Sequence, residues 1–242
     1  MLGIDFIALI SLSIIVFLSV KNSLLQNAEL CVCLCRTHVK IVYSPFVLSC
    51  PLADLNPALI PLSLYIHMPW CVRKCPYCDF NSHAVPDGKL SLDLEKEYLK
   101  ALVEDFKTQL DFAQGRTIHS VFIGGGTPSL ISAKAYQWLF AELKALLPFE
   151  QDCEITLEAN PGTVEHDPFA GYLEAGINRL SIGVQSFNIE HLQKLGRIHS
   201  NDDAISAIKN AKEAGFKRVN VDLMHGLPEQ TLEQALLDLK LA

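Results

Sequence analysis

The chain has 242 residues, of which 50% are hydrophobic and 19% charged, with a formal net charge of −7 at pH 7. That length allows one substantial α/β core or two small ones, and the apolar half suits a globular class. The acidic balance, with no Lys/Arg cluster against it, excludes a nucleic-acid backbone as the main partner, because phosphate neutralisation needs a basic surface.

The first stretch is Ile7–Val20, an almost unbroken apolar run just short of the roughly 20 residues of a membrane-spanning helix. No basic region precedes it, so it is a poor secretory signal. Lys21, Arg36 and Lys40 follow it, and the positive-inside tendency would leave everything downstream in the cytosol. Within residues 1–60 the only charges are these three with Asp5, Glu29 and Asp54, so the composition changes near Pro57–Pro61. Two parts are therefore expected, an apolar extension over 1–58 and a core domain over 61–242. Cys31, Cys33, Cys35 and Cys50 sit in no ligand spacing, and no periodic pattern ties the extension to the core. A start codon assigned too far upstream is the preferred reading and a membrane anchor the alternative; either leaves the core in the cytoplasm.

From Leu62 onward, short β-rich runs alternate with helical periodicity. Strands are expected at Leu62–Met68, Ser120–Gly124, Glu154–Ala159, Arg179–Phe187 and Arg218–Met224. The first helix is expected to start at Asp93, with Leu94, Tyr98, Leu102, Phe106 and Leu110 along its apolar stripe. Ser132 caps a second that runs to about Leu147. Asp167 and Pro168 give a third its cap and first-turn proline, with Gly176 just past its end. A fourth runs from about Asn201 to a stop at Gly215, and Thr231 with Gln234 forms the capping box of a fifth. Five βα units with right-handed crossovers curl into a partial parallel barrel whose site lies at the C-terminal ends of the strands. The chain stops at Ala242, in or just after the fifth helix, so a sixth unit and a C-terminal domain are expected to be missing.

Between the first strand and the first helix, Cys71, Cys75 and Cys78 form the spacing Cys-x3-Cys-x2-Cys. Three thiolates on one loop can hold three irons of a [4Fe-4S] cluster and leave the fourth iron open to a small molecule, with Asp79-Phe80 where a fourth nearby thiolate might have been. Zinc is the competing ion, since soft thiolates suit it too, but it asks for four closed ligands and only His67 or His83 lies near enough in sequence. A cluster that must be reduced belongs in a reducing compartment, which argues against a disulfide framework.

Polar residues gather where the strands end. Gly124-Gly125-Gly126-Thr127-Pro128 follows the second strand and lacks the Gly-Lys-Ser/Thr of a phosphate loop; its missing side chains let the backbone approach a ligand. Glu158 ends the third strand, Gln185 the fourth and Asp222 the fifth, so the three converge on one mouth. Arg197, in Leu195-Gly196-Arg197-Ile198-His199, adds a planar fork of donors suited to a carboxylate.

The cysteine run resembles the radical S-adenosylmethionine (SAM) superfamily, whose partial barrel has six such units, of which five are matched here. More closely, five stretches resemble the oxygen-independent coproporphyrinogen III oxidase family, including its heme-chaperone branch. They are Tyr65–Pro69, Gly124–Ser129, Glu158–Pro161, Ser181–Phe187 and Asp222–Thr231, and the likeness spans about 61–242. The resemblance implies a [4Fe-4S] cluster on Cys71, Cys75 and Cys78, with SAM on its open iron. It implies SAM contacts from Tyr65, Gly125, Gly126, Thr127, Glu158, Gln185, Arg197 and Asp222, with Tyr77 beside the adenine. The true oxidases of the family have a further cysteine where this chain has Phe80; Cys78-Asp79-Phe80-Asn81, with Trp70 before the first ligand, is similar to the chaperone branch. The resemblance thus implies a heme chaperone that binds heme or a porphyrin and passes it to an acceptor protein, served by a reductant such as flavodoxin or ferredoxin. The alternatives are the oxidase activity itself, a radical decarboxylation of porphyrinogen propionates, and an inactive truncated product. No catalytic residue and no heme ligand is assigned; His67, His83, His199 and His225 are each as compatible with a structural role.

Overall fold

The chain's structure is a computed structural model that describes residues 14–20, 30–33, 60–162 and 167–242. Along β3 (Leu62–Met68) the period of two is plain: Leu62, Leu64, Ile66 and Met68 are buried in the core, while Ser63, Tyr65 and His67 take the other face. The neighbouring strands are β6 (Ile118–Gly125), β7 (Phe149–Ala159), β8 (Arg179–Gln185) and β9 (Arg218–Leu223); β8 is buried on both faces from Leu180 to Val184, whereas β9 is half-buried from Val219 to Leu223. These five strands pair in parallel in that order, as the sequence predicts, and form a partial barrel of the α/β class. Two short strands, β4 (Trp70–Cys71) and β5 (His83–Ala84), pair with each other across the base of the cysteine loop.

The sheet has two further members. β1 (Ile14–Val20) lies antiparallel beside β3, with Ile14 opposite Ile66 and Leu18 opposite Leu62, and β2 (Leu30–Cys33) pairs antiparallel with β1. Sequence reasoning tied no element before residue 58 to the core, because a continuous apolar run carries no alternation; β-branched content and shortness are what mark Ile14–Val20 as a strand. Residues 7–13 of that run, with Cys35, Cys50 and the Pro57 end of the expected boundary, lie outside the described residues. Among the described residues no helix is long and apolar enough to cross a membrane.

The helices cover the buried face. In α1 (Leu92–Gln109) Tyr98, Leu99, Leu102, Val103 and Phe106 are buried, and Leu94 and Leu110 flank them half-exposed. Its cap is Ser91, which accepts the Leu94 N–H, so the helix starts earlier than the Asp93 that sequence suggested. α2 (Ala133–Leu146) is capped by Ser132 as expected. Asp167 caps across rather than along the chain: its carboxylate accepts the Ala133 N–H of α2 at 2.6 Å, and α3 (Phe169–Glu174) follows Pro168 with no side-chain cap. Gly176 and Gly215 take left-handed φ values of +101° and +100° past the ends of α3 and α5 (Asn201–Glu213), where only glycine is unstrained. α4 (Ile189–Lys194) was not foreseen; Asn188 caps it. The last helix, α6 (Leu232–Leu241), has the expected box of Thr231 and Gln234, and α5 has a second box of Ser200 and Asp203.

Candidate functional site

Parallel strands ending at one rim bring their last outward-facing residues together, and here they line a single open-mouthed cavity of about 230 Å³. Cys71, Cys75, Cys78 and Tyr77 form one wall, Gly125, Gly126 and Thr127 a second, and Glu158, Gln185, Arg197 and Asp222 the remainder. Tyr65 does not line it: its hydroxyl donates to His67 Nδ1 at 3.0 Å and its ring stacks on Phe122.

The cysteine loop is stitched to the barrel before any ligand enters. His67 Nε2 donates to the Asn81 carbonyl at 2.7 Å, Lys74 donates to the carbonyls of Phe80 and Ser82, and Tyr98 donates to the His67 carbonyl. The glycine turn closes against the start of the same loop. Gly126 N–H donates to the Met68 carbonyl and Thr127 N–H to the Trp70 carbonyl, each at 2.6 Å. A Cβ on Gly126 would stand 2.4 Å from the Trp70 oxygen, and one on Gly125 2.5 Å from the His67 ring. What the missing side chains admit at these two positions is therefore protein, the backbone and ring that place the cysteines. Gly196 does the same on the opposite side, where a Cβ would meet Pro76 Cδ at 2.7 Å.

Each polar residue of the rim has its own electrostatics. Glu158 Oε2 accepts the Gly125 N–H at 3.2 Å, yet burial raises its pKa to about 7, with the Asp222 charge adding and that hydrogen bond opposing. Asp222 accepts from Ser181 Oγ at 2.8 Å on one oxygen and from Asn220 Nδ2 at 2.7 Å on the other. Gln185 is held at φ +67°, where the β8–β9 ladder slips between Ile182 and Gln185, and its carbonyl accepts the Met224 N–H. A non-glycine residue in this region at a cavity is strain of the kind found at binding sites. Arg197 Nη2 donates to Asn160 Oδ1 and the Gly183 carbonyl, both at 2.7 Å, and Nη1 reaches Cys75 Sγ at 3.7 Å.

Sequence reasoning placed Asn160, Ser181 and Gly183 inside motifs without a role, and Asn220 was overlooked. Asn160 ties Arg197 to Thr127, whose hydroxyl accepts from Asn160 Nδ2 at 3.2 Å. Ser181 and Asn220 fix Asp222. Small polar residues at every second position of an otherwise apolar strand are the signal that would have found the last two. Of the four unassigned histidines, His67 uses both ring nitrogens within the fold and His199 gives Nε2 to the Val184 carbonyl; His83 and His225 are exposed.

The donor set suits a cluster. Among the described residues Cys71, Cys75, Cys78 and Cys153 are free thiols, and no group of His, Cys, Asp or Glu closes around a single metal ion. The three loop thiols instead line the cavity together, and the buried Arg197 Nε beside them has no partner among the described residues. Burial pushes the Cys71 thiol up, opposed by hydrogen bonds with the Ser82 and Thr127 hydroxyls. A coordinated iron overcomes that preference by taking the thiolate directly.

Comparison with known proteins agrees with this arrangement. The family model of the radical SAM superfamily matches residues 65–242. The chain is 56% identical over 190 residues to a protein of Haemophilus influenzae named heme chaperone HemW, covering 77% of this chain and 49% of that one. It is 55% identical over 184 residues to the heme chaperone HemW of Escherichia coli, covering 76% and 48%. The chain thus spans about half the length of these relatives. Among solved structures, coproporphyrinogen III oxidase (HemN) from Escherichia coli, described as a radical SAM enzyme, aligns with a TM-score of 0.63 at 31% identity, covering 73% of this chain and 40% of that one.

Proposed function

The chain belongs to the radical SAM superfamily, and from that premise we propose that it acts as a heme chaperone, holding a [4Fe-4S] cluster and SAM, binding heme and passing it to an acceptor protein. The observation that carries this reading is the 55–56% identity to two proteins named heme chaperone; Phe80, where the resemblance implies a further cysteine in the oxidases, is in keeping with it. Cys71, Cys75 and Cys78 would ligate three irons and leave the fourth to SAM. When bound, the cluster supplies the electron that can break a carbon–sulfur bond of SAM.

The chain's own groups then have distinct tasks. Asp222, fixed by Ser181 and Asn220, presents a carboxylate of set orientation to the hydroxyls of a nucleoside. Glu158, near half-protonated at neutral pH, can donate or accept a hydrogen bond at the mouth. Gln185 holds its strained backbone against the loop that carries Met224. Gly126 and Thr127 keep the turn closed on the cysteine loop through their N–H groups, and Gly125 leaves room for the His67 ring. Arg197 and Tyr77 complete the SAM contacts in this reading, and Tyr65 supports them from behind through His67. A low-potential electron donor such as flavodoxin or ferredoxin would serve the cluster, and the cytoplasm, where thiols stay reduced, is the compartment it requires.

Titration of the anaerobically loaded protein with hemin tests the proposal: one heme should be retained through gel filtration and then lost to an added apo-acceptor. A protein that retains no heme overturns it. The likeness to coproporphyrinogen III oxidase favours a second reading, an oxidase. It requires formation of protoporphyrinogen IX from coproporphyrinogen III with SAM and reductant, and no turnover removes it.

A further inference from the structure

Two walls of the cavity meet at one sulfur. Arg197 leaves the segment after α4 and crosses to the cysteine loop, where Nη1 stands 3.7 Å from Cys75 Sγ. The approach is built rather than incidental. Gly196 takes φ +69° and leaves room for Pro76, the neighbour of Cys75, and the 2.7 Å bonds from Nη2 to Asn160 and Gly183 clamp the guanidinium on the barrel rim. Asn160 is itself braced by Thr127, so the position of the cation is fixed from two strand ends. The three thiols are not equivalent in this respect. Cys71 has hydroxyl partners in Ser82 and Thr127, and Cys75 has Tyr77 in addition to Arg197, so the charged donor is directed to one ligand of the three.

We propose that Arg197 is a positioning residue for the metal centre: through its N–H···S bond to Cys75 it orients that ligand and raises the reduction potential of the cluster the loop would hold. The inference rests on the cluster reading above and goes beyond it, because it assigns Arg197 a task that does not involve SAM. Reduction adds one electron from a low-potential donor and makes the cluster and its thiolates more negative. A charge-assisted donor on a ligand sulfur stabilises the reduced form more than the oxidised one, so the potential rises. A lysine in this place keeps the charge but cannot reach Asn160, Gly183 and Cys75 together.

The test is redox titration of the anaerobically reconstituted protein without SAM, followed by electron paramagnetic resonance of the reduced cluster. With four irons per chain retained, Arg197→Gln should move the midpoint to a more negative potential and Arg197→Lys should move it less. Arg218→Gln, at the far end of β9 and paired to Glu154, should leave it in place. An unchanged midpoint in iron-loaded Arg197→Gln overturns the inference while leaving the cluster reading intact. Should that variant fail to load, the unaltered protein decides the matter: with 15N-arginine, the reduced cluster should show a nitrogen hyperfine coupling, and its absence overturns the inference. A wild-type protein that binds no iron overturns both readings, and iron analysis alone distinguishes that case.

Discussion

Glu158, half-buried at the rim, and His199, buried, are two titrating groups whose displacements oppose each other. Burial raises Glu158 to about 7, while burial, with the Arg197 charge adding, lowers His199 to about 4. For Glu158 the folded state holds its proton longer than the unfolded chain, so its contribution is full below about pH 4.5 and is lost as pH rises through 7. For His199 the folded state binds the proton less well, so its contribution is full above about pH 6.5 and is lost as pH falls toward 4. Between those limits the folded state carries an extra proton at Glu158 and lacks one at His199, so the two slopes oppose each other, and His67, which burial also lowers, adds to the His199 side. Glu158 should therefore offset part of the rise in stability that the two histidines give the apo-protein between about pH 5 and pH 6.5. Glu158→Gln should make stability rise more steeply with pH over that window and His199→Gln less steeply, each changing the slope by at most about 1.4 kcal/mol per pH unit. Urea midpoints across the window check this, and parallel profiles for the two variants would show that these groups do not titrate as described.

At the scale of elements, the turn after β6 is a backbone joint between the barrel and the cysteine loop. Gly126→Ala would drive a Cβ against the Trp70 carbonyl, and neither partner is a side chain that can turn away. The loss expected is about 1–3 kcal/mol of stability together with reduced iron uptake, because the strain falls on the segment entering Cys71. Gly115→Ala, where a Cβ meets nothing within 4 Å but φ is +79°, should cost only the conformational strain and leave iron uptake unchanged. A second joint is Asp167. Asp167→Ala should cost about 1 kcal/mol by leaving the Ala133 N–H without its acceptor, as read by the denaturation midpoint. Sequence alone took Asp167 for the cap of its own helix, because local spacing cannot show that a carboxylate reaches an N-terminus 34 residues away. All five parallel strands were legible, since continuous β-branched runs between helical periodicities have few other readings. The start at Ser91 and the short α4 were not, because one turn of periodicity is too little to recognise.

Over the whole molecule, the site was legible where one residue type has one use: the three cysteines, the glycine turn, and the polar strand ends. What sequence did not show is the support behind them, because Asn160, Ser181 and Asn220 act through contacts made across strands. Among the described residues the same sheet ends in an open side. β9 is the edge strand there, with Val219, Val221 and Leu223 only half-buried, and α6, docked on the turn after β8, exposes Leu232 at 69%, Leu239 at 66% and Leu237 at 54%. Unpaired strand edges and contiguous apolar surface both promote association. Asp238 shows that α6 is nonetheless docked, since its buried carboxylate accepts from Ser186 Oγ at 2.7 Å and from the Phe187 N–H at 2.8 Å. These 242 residues expressed alone should therefore self-associate at micromolar concentration with α6 in place. Leu237→Lys with Leu239→Glu should shift sedimentation toward the monomer without lowering the denaturation midpoint, because both leucines are exposed. Asp238→Ala should do the reverse, lowering the midpoint through a loss of about 2–3 kcal/mol of stability from two unpaired buried donors and increasing association as α6 detaches. Monomeric sedimentation of the unaltered chain would mean that the open side is not adhesive, and its leucines would then be ordinary exposed apolar surface.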